Sequence, residues 1–338
     1  MNQSKTNEKV RKLWMPLTWI VLVALLLSGC GGAQQNKVYH VGILASPSFA
    51  PINDGFKAKM TELGYIENKN VTYTLMSTGS DLTQIQAQAK ELVAQKVDLI
   101  FTSGTPNALA AKAAMQGTNI PVVFAYGQLE GTNLVQSVSN PGGNLTGVRY
   151  PGPEMIVKRL DVLLKIAPNA KRVWIGYDKN GANTATALGA LRPEASSLGV
   201  TLIEVPITQQ DEMGADLATR ANSADTGVDA IMTMPDAFNT STAGFAVLGK
   251  FAADHEIPLA GGIDFMAQQG ALFINSTDLA NVGALAAPLV DKILKGTPAG
   301  TIPVVTPEQT LIINYKVAQG LGLTVPTGLL SEATKIIR

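Results

Sequence analysis

The sequence predicts an α/β protein of two doubly wound parallel-sheet lobes joined by a three-crossing hinge. Three observations predict it. Val97-Asp98-Leu99-Ile100-Phe101-Thr102-Ser103-Gly104-Thr105-Pro106 reads as a buried strand running into a helix start, and the Val-Asp-x-Ile-x-Thr pattern returns at Val228-Asp229-Ala230-Ile231-Met232-Thr233. Flanking runs keep the same spacing: Val41 to Val173, Leu63 to Leu198 and Ile120 to Ile257 stand 132, 135 and 137 residues apart, against 131 for the repeated strand. A constant offset of this kind marks two copies of one unit. Finally, short apolar runs alternate with segments of helical period, the pattern of right-handed crossovers over a parallel sheet covered on both faces.

In chain order, Val41 to Ala45 is a buried strand, and Phe56, Met60 and Leu63 give helical spacing to Asn53–Leu63, which Gly64 ends. Val71 to Met76 is a second strand, and Leu82 to Gln95 an amphipathic helix with Ile85, Ala89, Leu92 and Val93 inward. The Val97 strand, a helix over Pro106–Met115 and the Ile120 strand complete the first unit. Pro141-Gly142-Gly143-Asn144-Leu145-Thr146-Gly147 reads as a turn-rich break before the first crossing. From about Glu154 the Val173, Leu202, Val228 and Ile257 strands each follow a helix. A strand near Gly270–Ile274, a helix over Leu279–Lys295, a passage bracketed by Pro303 and Pro307, a last strand at Leu311–Ile313, a helix near Val317 and a tail follow. This order assigns 38–150 plus 275–302 to lobe one and 151–274 plus 303–338 to lobe two.

Composition narrows the function. With 26 basic and 26 acidic residues in 338, nothing in the balance recruits nucleic acid. The first 29 residues hold four basic residues and one acidic, which leaves a mildly acidic body of 22 basic and 25 acidic. The apolar run Leu13–Leu27 is short of the roughly 20 residues a span needs, and it stops at Leu27-Ser28-Gly29-Cys30, where Cys30 is the only cysteine. This pattern is similar to a bacterial lipoprotein signal over 1–29, with Cys30 taking the lipid and 30–37 serving as tether. The expected location is the extracytoplasmic face of the cell membrane. No thiol remains for disulfides or metal, and neither metal nor cofactor is expected.

Ligands of open parallel sheets bind at the carboxyl ends of the strands, so two facing lobes enclose one cleft. Its expected walls are 46–49, 102–105 and 124–128 from lobe one and 177–183, 235–239 and 262–265 from lobe two. Within them Ser46, Ser103, Gly104, Thr105 and Gly127 offer hydroxyls or close backbone approach, with Thr105 as helix N-cap and Pro106 first in the helix. A helix amino end carries roughly +0.5 charge and suits a carboxylate. Asp236 and Asp264 suit an ammonium group, Asn183 a polar group, and Phe49, Tyr126, Tyr177 and Phe238 a flat or apolar one. Catalysis has little to use: His40 and His255 are the only histidines, both outside these loops, and no Gly-x-x-x-x-Gly-Lys-Ser/Thr, His-Glu-x-x-His or Gly-x-Ser-x-Gly run occurs.

Several runs carry a family likeness: Phe56-x-x-x-Met60-x-Glu62-Leu63-Gly64-Tyr65-x-Glu67-x-Lys69-Asn70-Val71, Ser103-Gly104-Thr105-Pro106 with Ala108-Leu109-Ala110-Ala111-Lys112-Ala113, the Pro141–Gly147 run, Val290–Gly296, and Ile313-Asn314-x-Lys316-x-Ala318-x-x-Leu321-Gly322-Leu323-Thr324-Val325-Pro326. On these residues the chain from about Val38 to Ile337 resembles the ABC transporter substrate-binding lipoproteins of the tryptophan/tyrosine type. The resemblance implies a type I periplasmic binding-protein fold. It also implies a membrane permease and a cytoplasmic ATPase as partners, and a small-molecule ligand, an amino acid with an aromatic or large apolar side chain. The protein is expected to be a monomer and not an enzyme. A sugar or nucleoside receptor of the same fold is the alternative.

Overall fold

The structure, a computed structural model, describes residues 37–79, 81–181 and 183–338; the expected signal segment and Cys30 lie outside them. The chain divides into units Met1–Tyr39 and His40–Arg338. In the first, Lys37 Nζ stands 4.7 Å from the centroid of the Tyr39 ring. No helix among the described residues is long and apolar enough to cross a membrane.

The second unit carries both sheets. Lobe one contains β1 (Tyr39–Ala45), α1 (Ala50–Glu62), β2 (Val71–Ser77), α2 (Leu82–Ala94), β3 (Leu99–Ser103), α3 (Thr105–Ala114), β4 (Val122–Gly127) and β5 (Leu145–Arg149). Its strand order is β2-β1-β3-β4-β5, with β3 parallel to β1 and β4, and β4 parallel to β5. Central β3, Leu-Ile-Phe-Thr-Ser, is buried along its whole length, as a strand with helices on both faces must be. Lobe two contains α4 (Gly152–Ile166), β6 (Arg172–Asp178), α5 (Thr184–Ser197), β7 (Thr201–Ile207), α6 (Gln210–Ala221), β8 (Ala230–Met232), α7 (Ala237–Thr240), α8 (Thr242–Asp254), β9 (Leu259–Gly261), α9 (Phe265–Gln268) and β10 (Phe273–Ser276). The chain then forms α10 (Leu279–Leu294) and returns as β11 (Thr310–Asn314), α11 (Tyr315–Gly320), α12 (Thr327–Glu332) and β12 (Lys335–Ile337), giving a seven-stranded order β12-β11-β10-β9-β8-β6-β7. Separate apolar cores cover its two faces, one around Leu160, Leu163, Val173 and Leu191, the other around Trp174, Met213, Phe245 and Leu248.

α10 belongs with lobe one because two glycines permit it. A Cβ on Gly283 would stand 1.9 Å from the Ile52 carbonyl oxygen, and one on Gly55 would stand 2.0 Å from that of Ala280. The α1 and α10 backbones therefore cross in direct contact, and α10 covers the α1 face that carries Ile52, Phe56 and Met60, all buried. The chain passes between sheets after β5, after β10 and at 303–309, where Val305 still bridges Val148 of β5.

Three features depart from the sequence expectation. The Pro141–Gly147 break already contains the start of β5, whose five residues include Gly147 and give too short a run for periodicity to register. β11 is not the last strand: α12 and β12 follow, and β12 pairs parallel to β11. The β10–β11 pair is antiparallel, because β11 enters sheet two from the third crossing, at the end where β10 leaves it, instead of through a helical crossover.

Candidate functional site

The loops after β4 meet lobe two directly. Gln128 Nε2 donates to Thr186 Oγ1 of α5 (3.0 Å) and to the Glu130 carbonyl (2.8 Å). Thr277, at the second crossing, donates to the Tyr126 hydroxyl (3.1 Å). Arg149 joins Glu130 (3.1 Å) and Glu154 in the first turn of α4. The loop after β4 and the end of β5 thus touch lobe two at the starts of α5 and α4.

On the lobe-one side, Gly104 has φ 85°, a conformation that favours glycine. The Phe49 ring lies against it, so that a Cβ there would stand 2.6 Å from Phe49 Cε2. Gly104, not Thr105, is the N-cap of α3. This corrects the sequence expectation: Thr105 is already the first helical residue, and its hydroxyl accepts from the Gln128 N–H (3.0 Å). No side chain caps α3. At this helix start the Ser103 hydroxyl and the Asn107 amide oxygen are buried without a hydrogen-bond partner, as are the hydroxyls of Thr102 in β3 and Thr78 after β2, although such atoms nearly always have one. Ser46 instead caps the short 47–49 turn, where its hydroxyl accepts from the Ser48 N–H.

Phe49 meets Tyr126 edge-on at 6.0 Å, and Tyr126 lies 4.7 Å from Tyr150. Tyr126 sits where the β4–β5 register shifts between Ala125 and Gly127, with φ 62°. Such bulges and strained residues cluster at ligand sites because they re-aim a side chain. Burial raises the pKa of both phenols, and the nearby Arg159 charge partly opposes it. Gly127 continues the strand end and accepts from the Tyr150 N–H (2.9 Å).

The lobe-two side is more tightly tied. Asp236, 8% exposed, accepts from the Asn239 N–H (3.0 Å), the Asn239 side-chain amide (2.9 and 3.0 Å) and the Asp178 N–H (3.1 Å). Burial still leads the opposing effects and lifts its pKa above the usual carboxylate value. Asp264 is exposed and uses one oxygen to accept from Ser276 (3.0 Å). Tyr177 donates to Glu204 of β7 at 3.5 Å, and Phe238 packs against the Phe245 core. Neither is held beside the lobe-one aromatics by a contact of its own. Asn183 precedes α5, with its side-chain oxygen buried and unpartnered.

Sequence reasoning missed Gln128 as the inter-lobe donor, Thr186, Tyr150, Thr277 and Arg159. Only Arg159 carried a signal: it is a charge on the buried stripe of α4, between Ile156 and Leu163. Among the described residues no group of three or more His, Cys, Asp and Glu side chains is placed to hold a metal.

Comparisons with known proteins agree with the fold. A "Tyrosine-binding protein" of Clostridioides difficile strain R20291 is 25% identical over 320 residues, covering 90% of each chain. A Streptococcus pneumonia ABC domain solved in complex with L-Trp superposes with a TM-score of 0.76 at 26% identity, over 89% of this chain and 100% of that one. A leucine binding protein from Thermotoga maritima shares the fold, with a TM-score of 0.60 at 15% identity over 84% of this chain and 87% of that one. The family model described as ABC transporter substrate binding protein matches residues 37–337, and with nearly all of the described chain inside that match, this protein belongs to the ABC transporter substrate-binding family.

Proposed function

We propose that the chain is the extracytoplasmic receptor of an ABC importer and closes two lobes, 38–150 plus 275–302 and 151–274 plus 303–338, on one aromatic amino acid. The observation that carries this reading is the lobe-one cradle: an uncapped helix start and the partnerless Ser103 hydroxyl beside the Phe49 and Tyr126 rings. A carboxylate takes the free N–H groups of α3 and the Ser103 hydroxyl, and a planar side chain lies along the rings. Asp264 is the better ammonium partner of the two aspartates, since it is exposed and accepts from Ser276 through one oxygen, whereas Asp236 is held by Asn239 and the Asp178 N–H. Closure follows because such a ligand touches both lobes; one that touched a single lobe would shift no equilibrium.

The tyrosine-binding relative and the L-Trp complex support the amino acid over the sugar or nucleoside alternative. The protein acts as a monomeric binding protein, without catalysis or cofactor: His40 is engaged with Thr74 (2.8 Å) and His255 lies against Phe251. It delivers ligand to permease subunits driven by a cytoplasmic ATPase, held at the membrane by lipid on Cys30. Titration calorimetry with tyrosine, tryptophan, phenylalanine, leucine, glucose and adenosine tests the ligand class. Heat is expected with the aromatic amino acids; a response confined to glucose or adenosine would discard the assignment. Cys30→Ala is expected to move the protein from the membrane fraction to the soluble one.

A further inference from the structure

Among the described residues Arg159 is a buried cation in no ion pair. It is 3% exposed and reaches from α4 to the carboxyl ends of three adjacent strands of sheet two. Its guanidinium donates to the carbonyl oxygens of Thr233 after β8 (2.6 Å) and Asn275 in β10 (3.0 Å). It also packs on Gly262 after β9, where a Cβ would stand 2.8 Å from Nη2. These strand ends are the cleft edge of lobe two, and from lobe one Tyr126 and Tyr150 lie within reach of its charge.

Among the described residues Arg159 forms no ion pair, and its Nε is buried without a partner. The Oδ1 of Asn275 is likewise buried and unpartnered. Two carbonyl bonds tie strand ends together, but they do not neutralise a guanidinium, and a buried charge left uncompensated is strongly disfavoured. Neighbouring unsatisfied donor and acceptor groups define what fits beside them: an oxygen that accepts from Arg159, best of all a hydroxyl that also donates to Asn275. An indole N–H can satisfy only the acceptor, and a phenyl ring neither.

We propose that Arg159, seconded by Asn275, is the lobe-two recognition group for an oxygen at the far end of the ligand, a phenolic hydroxyl. This rests on the amino-acid reading above and adds what lobe two reads. The group draws the ligand's far end onto sheet two, so its contact forms only when the lobes close.

The test compares calorimetric affinities of wild type, Arg159→Met, Arg159→Lys and Asn275→Ala for tyrosine, phenylalanine, tryptophan and tyrosinamide, with circular dichroism and thermal melts on each variant. A direct oxygen contact must spare at least one probe. If Arg159→Met weakens tyrosine at least tenfold but spares phenylalanine and tryptophan, the oxygen is phenolic. If it weakens all three acids and spares tyrosinamide, Arg159 reads the carboxylate, and the phenolic assignment is overturned. Lys at 159 is expected to recover part of the tyrosine loss. Equal loss for all four probes, or no loss in folded variants, overturns the inference while leaving the amino-acid reading intact; a silent wild type overturns both. Should Arg159→Met fail to fold, Asn275→Ala carries the test: it keeps the carbonyl that Arg159 binds and removes the free acceptor together with the amide's bond to Gln309 Oε1 (3.1 Å), a loss common to all four probes, so that unchanged probe ratios there overturn the inference.

Discussion

The carboxyl ends of β3 and β8 are equivalent strand ends of the two sheets, yet they differ in how their polar atoms are used. In lobe one the β3 end leaves the Ser103 hydroxyl unpartnered beside a helix start that no side chain caps. In lobe two the equivalent end, after β8, is closed on itself: Asp236 is clasped by Asn239 and the Asp178 N–H, and Thr233 offers its carbonyl to Arg159. One sequence pattern, Val-Asp-x-Ile-x-Thr, has thus produced a strand end with unpartnered polar atoms in one lobe and a braced one in the other. The difference lies in the loop residues that follow, Ser-Gly-Thr-Pro against Met-Pro-Asp-Ala.

The comparison can be broken most forcefully from behind. Gly283→Val places a side chain against the Ile52 carbonyl and should cost about 3 kcal/mol, the upper range for overpacking. Urea unfolding should register it, and hydrogen exchange should show β1–β5 losing protection while β6–β9 keep theirs. Next comes the proposed cradle: Gly104→Val meets both a positive φ and the Phe49 ring, and affinity for the proposed amino-acid ligand should fall about a hundredfold by calorimetry. Gln128→Ala removes the inter-lobe bond to Thr186. One such bond is worth about 1 kcal/mol, so stopped-flow release should quicken about fivefold, with the melting temperature nearly unchanged.

The smallest effect sharpens the lobe-two side. Because burial raises the folded pKa of Asp236 above its unfolded value, its contribution is fully present below the unfolded pKa and lost as pH rises through the folded one. Subtracting the Asp236→Asn stability profile from that of wild type, by urea titration across the acid range, should give a difference that falls with rising pH over that window. A difference that rises with pH would mean the Asn239 and Asp178 bonds outweigh burial.

Much of the fold was legible because buried parallel strands are short, apolar and punctuated. Val97–Thr102 and Val228–Thr233 announced both sheets, and Leu279–Lys295 announced α10 almost to the residue. β5 and β12 were not legible: one shares its residues with a glycine-rich turn, and the other is three residues long and defined by its pairing with β11. In the site, the aromatic and glycine positions could be read from loop placement, since Phe49, Gly104 and Tyr126 do come together. What could not be read was hydrogen-bond allegiance. That Thr105 serves Gln128 instead of its own helix, and that Asn239 occupies Asp236, depends on distances fixed only after folding.

The glycine crossing of α1 and α10 also imposes an order of events on synthesis. The Ile52–Phe56–Met60 face of α1 emerges well over two hundred residues before the segment that covers it, and β5 awaits Val305 and the Ile302 carbonyl that accepts from Thr146. The amino-terminal half therefore carries an uncovered apolar stripe through most of translation. The lobe begun first is thus completed only after β6–β10 of the other have been made, and any factor that shepherds nascent chains to the membrane has that stripe to hold.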